Sequence, residues 1–88
     1  MFYRVILALL FATALPTLGS AVTFGDRECV DDCSGHAAGY DWAEKHGISD
    51  PSDCPQGNSD SFHEGCIVRT EDPMRGSEED DDGNAIDK

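Results

Sequence analysis

The sequence predicts a small, mostly α-helical domain stapled by two disulfides, helical hairpin-like in its core and ending in a disordered acidic tail. Three observations carry that expectation. The 88-residue chain opens on a segment with the order of an export signal and carries four cysteines; buried-type residues recur at helical spacing through "DCSGHAAGYDWAEKHG" (Asp32 to Gly47); and beyond Thr70 almost nothing apolar remains.

The opening segment, "MFYRVILALLFATALPTLGSA", places Arg4 before an apolar run from Val5 to Leu15, then Pro16 and the small residues Gly19 and Ala21. This is the n-region, h-region and cleavage-site order of a secretory signal peptide, expected over residues 1–21. The run is far short of the ~20 residues that cross a bilayer, so no stable membrane insertion is expected after cleavage. The expected location is secreted or periplasmic.

Cleavage after Ala21 leaves a core at residues 22–70 and a tail at 71–88, together carrying all eighteen acids against five bases. Nucleic acid is a poor partner for such a chain, because binding it requires a basic footprint. A protein of this size buries little apolar surface, and in an oxidising compartment cystines are the expected remedy.

From Asp26 to Gly47 a long helix is expected, with Asp26 as N-cap and Gly47 as the residue after its C-cap. At 100° per residue Cys29, Cys33, His36, Tyr40 and Ala43 share one arc. A start at Asp32 competes, and would leave Cys29 in a turn. On the opposite face Gly35 and Gly39 lie with Ala38, Trp42 and His46. Interior glycines cost roughly 1 kcal/mol each against Ala, so their presence implies that something approaches this face closely, either the returning chain or a partner. Gly35, Gly39, Trp42 and His46 are accordingly the candidate partner-binding residues, Trp42 foremost.

Residues 47–60 read as a loop, with one helical turn expected from Ser49 before Pro51. "SFHE" (Ser61 to Glu64) has capping-box spacing and predicts a second helix that brings Phe62 and Cys66 onto one face. The "EEDDDGNAI" stretch has no formed EF-hand, since the Glu required at the twelfth loop position has no counterpart.

Four cysteines allow three pairings. If Cys29 and Cys33 share a helix turn, their bridge is poorly accommodated. A chain returning along the helix meets Cys33 first, so the expected pairing is nested: Cys33 with Cys54 and Cys29 with Cys66.

The run "DCSGHAAGYDWAEKHGI", then "DC", then "GNSDSFHEGC" resembles a pattern of small, often exported bacterial proteins of the form DCSGH-x-AGY-x-WA followed by SF-x-EGC. The resemblance covers about residues 29–66. It implies an exported protein with a defined cysteine-bearing core and transfers no activity.

A catalytic reading would pair Cys33 or Ser34 with His36, but residues two or three apart on a helix seldom align as nucleophile and base. Glu28, Asp31 and Asp32 surround the first cysteines and disfavour a reactive thiolate. His36 is expected to be packed and bonded to backbone, His46 to interact with the helix C-terminus, and His63 to face solvent. The resulting expectation is a non-enzymatic binding or structural module with an unknown protein partner and no cofactor. The alternative is divalent-cation binding, with zinc at the cysteines and histidines or weak calcium on the tail.

Overall fold

The computed structural model describes residues 21–57 and 59–88. The signal-peptide segment expected over residues 1–21 lies outside them, apart from Ala21.

Chain order is β1 (Thr23–Phe24), β2 (Arg27–Glu28), α1 (Ser34–Lys45), a 3₁₀ turn (Pro51–Asp53) and α2 (Asp60–Glu71). The first two elements form an antiparallel hairpin, with Thr23 opposite Glu28 and Phe24 opposite Arg27. Gly25 (φ 60°) and Asp26 (φ 67°) supply the two left-handed residues that a two-residue hairpin loop requires. A side chain at Gly25 would also collide with Val68.

That hairpin corrects the expected helix start. Asp26 sits in a turn with positive φ, a conformation incompatible with an N-cap. The helix begins only after Cys33, where the Asp32 carboxylate accepts the backbone N–H of Ser34 (3.0 Å) and its hydroxyl (2.6 Å). The end is as expected: Gly47 (φ 64°) donates to the Glu44 carbonyl and Ile48 to the Ala43 carbonyl (2.9 Å), while the Ile48 side chain packs on the cluster containing Ala43. This is a Schellman stop with its accompanying apolar contact.

The short helical turn is capped by Asp50 rather than Ser49, through the N–H of Ser52 (2.9 Å). Helix α2 likewise begins earlier than the capping box suggests. Ser59 is its N-cap, accepting the N–H of Phe62 (3.1 Å), and Glu64 is committed elsewhere.

The nested cysteine pairing is overturned. Cys29 bonds Cys33 and Cys54 bonds Cys66. Once Cys29 lies in the turn before α1, its Cα stands 5.1 Å from that of Cys33, within the range a cystine spans. Each bridge is therefore local and anchors its own apolar cluster. One contains Phe24, Cys29, Cys33, Ala37, Tyr40 and Val68, with Ile86 packed against it. The other contains Ala43, Cys54 and Cys66, flanked by Trp42, Ile48 and Ile67.

The helices meet across a glycine seam. A Cβ on Gly39 would fall 2.8 Å from the Phe62 carbonyl carbon and 3.0 Å from the Cys66 nitrogen; one on Gly65 would fall 2.7 Å from the His36 carbonyl carbon. Near opposite ends of α1, Gly35 and Trp42 both touch the first turn of α2, at Ser61 and Phe62 respectively. The helices therefore cross instead of running side by side as in a simple hairpin.

Of residues 71–88, expected to be a disordered tail, Glu71 instead closes α2, and residues 72–88 are ordered against the domain. Asp81 reaches back to the hairpin: its carboxylate accepts from the Thr23 hydroxyl (2.7 Å) and from the N–H groups of Gly25 (2.9 Å) and Asp26 (2.8 Å). Arg75 also donates to Asp81 (2.9 Å) and lays its guanidinium 3.6 Å over the Phe24 ring. Tyr40, fully buried, clamps the start of the segment by donating to the Asp72 carbonyl and accepting from the Gly76 N–H (both 2.8 Å). Lys88 donates to Asp41 and Ser77 (both 2.9 Å) and to Glu78 (3.1 Å). Acid-rich composition concealed this because the acids act as acceptors for turn N–H groups and for cations within the chain.

Candidate functional site

Among the candidate partner residues, Gly35 and Gly39 are consumed by the helix crossing. The close approach inferred from sequence is made by α2. Trp42 and His46 remain at the surface of α1, where their rings stack at 4.2 Å with 21° between planes. The His46 Nδ1–H donates to the Trp42 carbonyl (2.8 Å), the helix-end interaction expected for it. Phe62 of α2 tilts against the indole, with ring centroids 6.0 Å apart. Trp42 is half-buried, His46 exposed, and Ala38, one turn before Trp42 on the same stripe, is exposed as well.

The second distinctive grouping is His36 with Glu64. His36 is completely buried, and its Nε2 pairs with Glu64 Oε1 at 2.8 Å across the helix crossing. The partner is a side chain, not the backbone group expected. Its Nδ1 is buried without a hydrogen-bond partner, and its ring lies 5.9 Å from Phe24. Sequence spacing could not reveal this pair, because it depends on how α2 crosses α1. His63, expected to face solvent, is half-buried and bonded through Nδ1 to the Pro55 carbonyl (2.9 Å).

The candidate nucleophiles are all engaged. No free cysteine remains, and the Ser34 hydroxyl is held by Asp32. Zinc at the cysteines therefore lacks thiolate donors. Among the acids proposed for loose calcium binding, Asp80 accepts the N–H groups of Asp82 (2.8 Å) and Asn84 (3.0 Å), Glu78 pairs with Lys88, and Asp81 has four donors. Among the described residues no three His, Cys, Asp or Glu side chains converge as a metal site.

Electrostatics reinforce the back-pinned segment. Partial burial pushes the Asp81 carboxyl upward, but the Arg75 guanidinium, the Asp26 N–H, the Thr23 hydroxyl and the Gly25 N–H outweigh it and hold the group far below the ordinary carboxylate range. Asp41 is lowered in the same way, burial being outweighed by Ser77 and Lys88. A cleft of about 290 Å³ lies between Arg75, Gly76 and residues 78–81, lined mostly by acids. No helix among the described residues is long and apolar enough to cross a membrane. Comparison with known protein families, characterised proteins and solved structures finds no match.

Proposed function

We propose that this chain is an exported, non-enzymatic binding or structural module that engages a protein partner through the Trp42–His46 face of α1. The observation that carries the reading is the stack itself: a tryptophan fixed by His46 and Phe62 while remaining half-exposed, on a scaffold held by two cystines. Rigid aromatic anchors of this kind concentrate binding energy at little entropic cost. Two cystines fit an oxidising compartment, and the resemblance of residues 29–66 to exported cysteine-bearing proteins supports the same location. The commitment of the cysteines, Ser34 and His36 to structural bonds supports a role without catalysis.

The test is capture from the extracellular or envelope fraction of the native source, using the oxidised full-length secreted protein and a Trp42→Ala variant of matched helical content. The reading expects one or more proteins bound by wild type and lost with the variant. Identical capture by both removes Trp42 from any partner site.

A further inference from the structure

We infer that the partner engaged through the Trp42–His46 face is a basic protein segment, and that an arginine of that segment seats against the Trp42–Phe62 pair. The inference rests on the reading above that this face is a binding site, and names the chemistry of what it binds.

The argument starts from where the positive charges are spent. Of the five bases in residues 22–88, three are held within the chain: Arg27 by Glu71 (3.2 Å), Arg75 by Asp81 (2.9 Å), and Lys88 by Asp41 (2.9 Å) and Glu78 (3.1 Å). All three belong to the hairpin or to the segment after α2.

Trp42 lies elsewhere. With Ile48 and Ile67 it flanks the cluster of Ala43, Cys54 and Cys66, and it meets Phe62 in the first turn of α2. The aromatic pair is therefore bordered by the loop between Ile48 and Cys54 and by the start of α2. Those two stretches carry Asp50, Asp53 and Asp60, all exposed. Asp50 is bonded to the neutral donors of Ser52, and among the described residues no cation pairs with any of the three. Against them stands Lys45 in the last turn of α1; Arg69 lies in the last turn of α2, at the far end of that helix from Phe62.

A half-exposed aromatic pair inside an acid-rich border selects a group that is both flat and cationic. The guanidinium of arginine is planar, weakly hydrated and permanently charged, so it stacks on an indole where an ammonium would keep its water. Carboxylates at the rim steer such a segment inward and fix its register. The same chemistry operates inside the chain, where Arg75 lies 3.6 Å over the Phe24 ring while pairing with Asp81. An acidic partner, or a second copy of this chain, would bring like charges against that border and be repelled.

The experiment titrates the oxidised protein with a capped peptide of alternating arginine and glycine, and with analogues carrying citrulline or glutamate in place of arginine. Trp42 is the only tryptophan in the chain, so its emission reads the seat directly. The arginine peptide is expected to shift that emission saturably, and the other two to leave it unchanged. Raising salt from about 0.05 to about 0.5 M should weaken binding by about tenfold, since the screening length falls well below 10 Å. The joint substitutions Asp50→Asn, Asp53→Asn and Asp60→Asn should weaken it by about tenfold as well. Asp26→Asn, Glu28→Gln and Asp31→Asn together remove the same charge from exposed positions around the hairpin, and should change it by less than about twofold. An unshifted emission, an equal response to citrulline, or equal weakening by the two triple variants overturns the inference. The two readings fail separately. Proteins captured by wild type and lost with Trp42→Ala, alongside an inert arginine peptide, overturn the basic partner and keep the face, whereas identical capture by both removes the face itself.

Discussion

Replacing Gly39 with alanine isolates the seam on which the domain is built. On an isolated helix this change stabilises by roughly 1 kcal/mol, because alanine is the better helix former. Here the new methyl would lie 2.8 Å from the Phe62 carbonyl carbon and 3.0 Å from the Cys66 nitrogen, both backbone atoms of α2. Carbon contacts are comfortable at about 3.5–4.0 Å, so α2 must retreat by about 1 Å, and a gap of that size forfeits a quarter to a half of each dispersion contact around it. Overpacking of this kind costs about 1–3 kcal/mol, and no rotamer change can move a backbone obstacle. With that cost at the upper end of its range because both obstacles are backbone atoms, and the propensity gain of about 1 kcal/mol credited, Gly39→Ala should destabilise by about 2 kcal/mol, a large part of the stability available to so small a domain. Gly65→Ala should behave alike, since its methyl would meet the His36 carbonyl carbon at 2.7 Å and Cα at 2.9 Å. Gly35→Ala is the comparison: it meets the Ser61 Cβ at 2.8 Å but no backbone atom of α2, so it should cost less than Gly39→Ala while still forcing the first turn of α2 outward. Urea denaturation of the oxidised variants gives the comparison. A Gly39→Ala variant more stable than wild type would mean that propensity dominates and that the backbones do not meet there.

Tyr40→Phe removes the clamp on both Asp72 and Gly76 and should cost about 1–3 kcal/mol, with amide exchange in residues 72–88 accelerating before that of the helices. The depressed Asp81 carboxyl makes the hairpin contact sensitive to acid. Its stabilisation is fully present above the ordinary Asp value near 4 and is lost as pH falls below that toward the depressed native value; Asp81→Asn should flatten this part of a stability–pH curve. Removing Cys54 and Cys66 together should destabilise by about 3 kcal/mol and removing Cys29 and Cys33 by about 2, as the sequence separations of 12 and 4 imply in the chain-entropy model, read by thermal unfolding.

Much of the core was legible from periodicity. All five residues assigned to one arc, Cys29, Cys33, His36, Tyr40 and Ala43, are buried, and Gly47 terminates α1 through purely local bonds. The glycine face announced a close approach, although only the tertiary structure identifies α2 as its occupant. The start of the helix was not legible, because an Asp suited to an N-cap is equally suited to the left-handed position of a Gly-Asp turn, and the hairpin prevails. From that displacement the cysteine pairing followed wrongly: with Cys29 placed on the helix, a local bridge looks strained. Order in residues 72–88 escaped for a different reason. It rests on single polar side chains finding partners 32 to 58 residues away, and composition carries no trace of such contacts.

The most direct test of the account is a tryptic map of the oxidised protein without reduction. Cleavage after Arg27, Lys45 and Arg69 places Cys29 and Cys33 in one peptide, residues 28–45, and Cys54 and Cys66 in another, residues 46–69. Local bridges predict two separate peptides, each lighter by two hydrogens than its reduced form. A single species in which those peptides are joined, separable only after reduction, would show that the bridges link the two segments, as in the nested pairing, and contradict the fold described here.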